Sequence, residues 1–228
     1  NGTFIFNDSH SETYEGFLVD GFFDIASFRK AVATSVTSVR QNHGGDLAEI
    51  YVGVPAPFVR VLTKGHTISF PKKRKITMQD VDALYESGLN ELLVSGRCIR
   101  RSAMYFSLGD NRKYFSAESI CGVSSTLLKG ALSYYFVPDD FCQAVTDLLE
   151  DLGFLKINFI PSSLAQLTYL IPEQKREGYA FLLDVGFLTT TISVVYGKGI
   201  VREDSFDCGI GTVLVSLMRD LGIAHDLA

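Results

Sequence analysis

The spacing of apolar positions changes period repeatedly along the chain, from two to about 3.6 and back. Residues 3–6 and 14–19 alternate as two strands of a hairpin joined through Asn7-Asp8-Ser9. Asp24 then stands as an N-cap before Ile25, Phe28, Val32, Ser35, Val36 and Val39, whose spacing predicts a helix closed by Gly44-Gly45. A strand is expected over 48–54, ended by Pro55 and Pro57, and a strand pair over 58–63 and 66–70 turning at Lys64-Gly65.

Thr77 and Asp80 have the spacing of a capping box, and the helix they open carries Met78, Val81, Leu84, Tyr85, Gly88, Leu89 and Leu92 on one face. Residues 99–108 read as β, with a turn at Gly109-Asp110-Asn111 and a short strand around Tyr114, whereas 119–128 has no assignable pattern. The run 131–137, ALSYYFV, is a buried strand. From Pro138-Asp139-Asp140 a helix points Phe141, Val145, Leu148, Leu149 and Leu152 inward and stops at Gly153. A short strand over 157–160 precedes a helix that begins at Pro161-Ser162-Ser163 and ends before Pro172. Residues 175–178 form a charged loop in which Lys175 and Arg176 are solvated.

The most informative stretch follows, from Tyr179 to Leu217. An apolar run over 180–183 ends on Asp184 and Gly186, and Thr189, Thr190 and Thr191 lead into a second β run over 192–196. Gly197-Lys198-Gly199 turns the chain into a third strand over 200–206, and Gly209 and Gly211 stand at the start of a helical pattern. Strand, Asp-x-Gly turn, hairpin and glycine-marked helix start form a layout suited to phosphate. Two roles are open to Asp184, holding Mg²⁺ or its water beside a phosphate, or capping the turn through backbone N–H groups. Thr189 and Thr190 are either hydroxyl donors to phosphate or ordinary strand residues, and Asp207 serves as an N-cap.

Composition narrows the classes. In 228 residues, 46% hydrophobic and 21% charged, there is material for one large or two small folded domains. A net charge of -5 offers no bulk attraction to nucleic acid. No apolar run approaches the roughly 20 residues a membrane helix needs. Cys98, Cys121, Cys142 and Cys208 lie far apart, as do the four histidines, which argues for reduced thiols in a cytoplasmic protein rather than a zinc cluster. Pro71-Lys72-Lys73-Arg74-Lys75 is the one concentrated basic run, either a solvated loop or a phosphate or lipid contact.

In element order and in three segments, the chain resembles the FtsA-type bacterial cell-division proteins of the actin-like superfamily. The strand Ile50-Tyr51-Val52-Gly53-Val54 with the segments after it, through the Thr77 helix, looks like that family's small inserted subdomain. The stretch from Gly153 to Leu170 resembles the approach to the second phosphate strand, and Asp184-Val185-Gly186-x-x-Thr189 resembles the second phosphate loop. The resemblance implies an α/β fold of mixed sheets, an actin-like ATPase (RNase H-like) lobe carrying an SHS2-like insertion. Its divisions would be an incomplete first lobe over 1–47, the inserted subdomain over 48–130, the remainder of the first lobe over 131–178, and the start of a second lobe from 179 to 228.

The resemblance also implies ATP and Mg²⁺ at Asp184, Gly186, Thr189, Thr190, Gly209 and Gly211, with Asp184 toward the metal. It implies self-association, a partnership with an FtsZ-like filament, and work at the inner face of the cell membrane through regions or partners beyond the chain. Residues around Val52 to Ile68 would then be interaction surface. Departures from the pattern weaken the chemistry, because Phe187 and Leu188 stand where the family places glycines. The first phosphate loop would precede Asn1, and no adenine-side loop is present, so this chain alone is expected not to bind ATP tightly. A rival expectation is a PilM-type or degenerate scaffold without ATP turnover. A sugar-kinase-type phosphotransferase is a third, for which no substrate-binding acid stands out.

Overall fold

The computed structural model describes residues 8–14, 17–18, 21–22, 24–43 and 47–222. The chain divides into two compact units, one of residues 1–52 and 140–158, the other of 53–139 and 159–228. The expected strand over 3–6 and the Gly44-Gly45 stop lie outside the described residues. Short strands β1 (Phe17–Leu18) and β2 (Gly21–Phe22) pair with each other.

In the first unit, α1 (Ile25–His43) begins where the period placed it, and the Asp24 carboxylate accepts the Ser27 N–H at 3.0 Å. β3 (Glu49–Val54) pairs with a later strand, β7 (Lys156–Pro161). The Arg40 guanidinium donates to the Leu152 carbonyl at 2.5 Å and lies 4.6 Å over the Phe154 ring. That pins α1 to the end of α3 (Asp139–Asp151), which buries Phe141, Val145, Leu148 and Leu149. Gly153 follows with φ of 85°, the left-handed stop expected of it.

The second unit is built on an antiparallel sheet ordered β4-β6-β5, with β4 (Arg60–Lys75), β5 (Arg97–Ser107) and β6 (Ser124–Val137). The expected strand pair over 58–63 and 66–70 is instead one 16-residue strand. Lys64 and Gly65 do not turn, because Leu132 and Ala131 of β6 pair with them in unbroken register. The basic run is not a loop but the end of β4, reached after a bulge between Ser69 and Arg74. Arg74 lies 4.0 Å over the Phe70 ring and binds Asp80, the residue that completes the capping box of α2 (Met78–Asn90). The unassigned 119–128 segment contributes Ser124 to Leu128 to β6, which then runs unbroken through Gly130 and Ala131.

The second half of β6, from Ala131 to Val137, is mostly apolar because both its faces are covered. Leu128, Leu132 and Tyr134 meet Val81 and Leu84 of α2 in one core cluster. Tyr135 and Ser133, both 0% exposed, turn to the other side. There a second antiparallel sheet, ordered β10-β9-β8, packs on the first, with β8 (Tyr179–Val185), β9 (Thr190–Tyr196) and β10 (Gly199–Phe206). The β9–β10 turn is inserted against β5, with Lys198 N–H donating to the Ala103 carbonyl at 3.2 Å. Helices α4 (Ser162–Leu170), α5 (Glu173–Arg176) and α6 (Ile210–Leu221) complete the unit. α5 replaces the expected loop over 175–178, and its Arg176 is not solvated but 4% exposed.

Candidate functional site

The six residues expected from the sequence come together at the end of β8. Gly186 N–H donates to the Thr189 carbonyl at 2.9 Å, closing a tight loop through Phe187 and Leu188. Asp184 neither caps this turn nor sits in an acidic cluster. Its exposed carboxylate accepts from Gln166 Nε2 of α4 at 2.9 Å. Thr190 Oγ1 donates to the Cys208 carbonyl at 2.6 Å, which ties β9 to the entry of α6.

The start of α6 is turned onto the same loop. Ile210 N–H donates to the Gly186 carbonyl at 3.0 Å and Gly211 N–H to the Phe187 carbonyl at 2.9 Å. Gly209, not Asp207, occupies the N-cap position. A Cβ at Gly209 would lie 2.3 Å from the Phe187 carbonyl oxygen and 2.5 Å from that of Gly186. A Cβ at Gly211 would lie 3.0 Å from the Phe187 ring. Both glycines therefore admit the 186–187 backbone, a demand that sequence alone cannot distinguish from close approach of a phosphate.

These contacts decide whether ATP and Mg²⁺ fit the residues present. A phosphate cradle needs free N–H and hydroxyl donors at the helix start. Here the Ile210 and Gly211 amides and the Thr190 hydroxyl already have protein acceptors. Among the described residues, no group of three or more His, Cys, Asp or Glu could hold a metal ion. The Ile210 and Gly211 amides and the Thr190 hydroxyl are thus not open to the phosphate that the resemblance implied.

A second region, marked by no motif in the sequence, is walled by the first sheet and the β9–β10 turn. A cavity of about 360 Å³ is lined by Arg100, Arg101, Phe115, Glu173, Arg176 and Lys198 among others. A neighbouring one of about 300 Å³ shares Phe115, Glu173, Arg176 and Lys198 and adds Lys113 and Glu177. Lys113 Nζ donates to the Tyr196 hydroxyl at 2.8 Å and sits 4.8 Å over the Tyr105 ring. The tyrosine hydroxyl, foremost, holds the Lys113 ammonium above its ordinary pKa. Pro172 beside a four-residue charged run was the one local signal of an ordered turn here.

The outer side of β8 is apolar and exposed. Tyr179, Phe181, Leu183 and Val185 alternate along one face, and Ile210, Val213, Leu217 and Leu221 are exposed on α6.

No protein-family model matches the chain, and no curated protein sequence matches it. Solved structures do. A chain of the PilM-PilN type IV pilus biogenesis complex overlays 92% of this chain at TM-score 0.54 and 9% identity. This chain spans 56% of that one's length. MreB5 of Spiroplasma citri bound to ADP covers 39% of this chain and 28% of its own length, at TM-score 0.33 and 16% identity. A protein with actin-like ATPase fold and unknown function from Bacteroides thetaiotaomicron covers 85% of this chain and 63% of its own, at TM-score 0.33 and 7% identity. None of these structures singles out the FtsA type. At 9% identity the likeness to the chain from the PilM-PilN complex is one of fold alone, and this chain is a mixed α/β protein.

Proposed function

We propose that this chain belongs to an actin-fold scaffold that holds protein partners and does not turn over ATP, the PilM-type reading rather than the FtsA-type one. The carrying observation is the self-closed loop, in which Gly186 and Phe187 carbonyls take the Ile210 and Gly211 amides. A donor set already satisfied within the chain has little to offer a phosphate, since the exchange of one acceptor for another yields small net free energy. The fold likeness to a chain from a complex of PilM with PilN supports a protein partner over an FtsZ-like filament. Within this reading the β4-β6-β5 sheet and α2 take the part of the inserted subdomain, and residues near Val52 to Ile68 are interaction surface. No helix among the described residues is long and apolar enough to cross a membrane. Attachment to the inner membrane face would then come through regions beyond this chain or through a partner.

Calorimetric titration of the full-length protein with Mg·ATP tests the proposal. The expected result is no saturable heat up to millimolar nucleotide. Binding at micromolar nucleotide overturns it and restores the FtsA-type reading.

A further inference from the structure

We propose that Arg176 is the anchor of a carboxylate-binding site in the cavity between β5, α4, α5 and the β9–β10 turn, independently of the scaffold reading. Arg176 is 4% exposed, and its Nε is buried without a hydrogen-bond partner. Among the described residues no carboxylate lies within ion-pair distance of it. Its backbone carbonyl accepts the Gly197 N–H at 2.6 Å, which fixes the main chain at this residue to the β9–β10 turn.

A buried ionisable group without a counter-charge commonly sheds its charge instead. Guanidinium has no such escape, because it stays protonated throughout the accessible pH range. Nothing among the described residues supplies the compensating anion, which leaves the place for an external one. Its charge can be counted from the cavity walls. Lys198 is matched by Glu173 at 3.5 Å, and Arg101 is matched by Glu86. Arg100 and Glu118, both exposed on the same wall, offset each other in sign. One positive charge remains, which suits a carboxylate better than a doubly charged phosphate.

Shape and lining agree with that choice. About 360 Å³ is many times the roughly 30 Å³ share of a water molecule, so the ligand carries an organic stem. Phe106, Phe115 and Leu164 supply apolar walls for the stem, and Ser116 adds a hydroxyl to the lining. Guanidinium meets a carboxylate through two parallel N–H donors, giving orientation as well as charge. Two sources carry such a carboxylate, a free organic acid and an acidic side chain of a partner peptide.

Phenylacetate, its neutral isostere phenylacetamide, inorganic phosphate and a short Gly-Glu-Phe-Gly peptide with blocked ends are titrated against the full-length protein. Binding is followed by thermal shift and by the NMR signal of the Arg176 Nε–H. Phenylacetate is expected to bind saturably, raise Tm and move the Nε–H signal, with phenylacetamide at least tenfold weaker and phosphate without effect. Arg176→Met should weaken phenylacetate at least tenfold while Arg176→Lys recovers part of the loss. Stronger binding of the peptide than of phenylacetate assigns the site to a partner's side chain, and the reverse order assigns it to a free acid. Equal binding of acid and amide, preference for phosphate, or an Arg176→Met variant with unchanged affinity each overturns the proposal. If neither variant folds, the acid–amide comparison and the Nε–H shift in the unaltered protein decide it.

Discussion

Ile210 donates its backbone N–H to the carbonyl of Gly186 at 3.0 Å, so the first turn of α6 rests on the loop after β8. The adjacent Gly209 makes this approach sterically possible, and Thr190 fastens it by donating to the Cys208 carbonyl. Replacing Gly209 by Ala would drive a Cβ to 2.3 Å from a carbonyl oxygen, a clash with backbone that cannot rotate away. A loss of about 3 kcal/mol is expected for Gly209→Ala, against about 1 kcal/mol for Thr190→Val, both read by urea unfolding.

Two glycines in the second unit should respond in opposite directions. Gly197 has φ of +60°, and its Cβ would fall 1.8 Å from the Met104 carbonyl oxygen. Gly197→Ala should cost at least ~3 kcal/mol or prevent folding. Gly65 lies mid-strand in β4 with nothing within 4 Å of its missing Cβ. Gly65→Thr should stabilise by roughly 0.5–1 kcal/mol, because a β-branched side chain suits a pleated strand and removes unfolded-state freedom. Paired denaturation curves check both.

The two sheets of the second unit are joined through polar atoms as well as by apolar packing. Ile200 N–H donates to the Tyr135 hydroxyl at 3.0 Å, and Ser133 Oγ donates to the Ile200 carbonyl at 2.8 Å. Burial pushes the Tyr135 phenol up to about 12, so it remains neutral in any ordinary buffer. Tyr135→Phe leaves the Ile200 amide buried without an acceptor, an expected loss of about 1–3 kcal/mol. Faster hydrogen exchange at the Ile200 amide, with α1 unaffected, would localise the effect.

Glu203 on β10 should make stability fall with rising pH. Burial, foremost, raises its carboxyl above the ordinary 4.5, against the opposing hydrogen bonds. Ser193 Oγ donates to one carboxylate oxygen at 2.7 Å, and the Ser163 hydroxyl also acts on the carboxyl. A group whose folded pKa exceeds its unfolded one is fully stabilising below the unfolded value and loses that contribution as pH rises through the folded pKa. Glu203→Gln should therefore gain about 1 kcal/mol at pH 8 and nothing at pH 4. Thermal unfolding across that window measures the difference.

Local pattern carried most of the elements. The i, i+3, i+4 stripes of α1, α2 and α3, the Thr77–Asp80 box and the Gly153 stop all depend on neighbours within a turn, and the chain states them directly. Strand lengths were less legible. Lys64-Gly65 reads as a turn until Leu132 and Ala131 lie opposite it, and 119–128 has no period because half of it joins a sheet through partners far away in sequence.

The same division holds for the candidate site. Sequence order was sufficient to bring Asp184, Gly186, Thr189, Thr190, Gly209 and Gly211 to one place, because a β8–β9–β10 hairpin array followed by α6 has few ways to fold. Whether their donors face a ligand was decided by tertiary approach, since the chain does not announce that Gly186 and Phe187 will supply the acceptors. Arg176 shows the limit most clearly. A charged residue in a run of Glu, Gln, Lys and Arg reads as solvent-facing, and only the packing of the β9–β10 turn against the central sheet buries it. Charge is a local property of the sequence, but the loss of its water is imposed by residues distant along the chain.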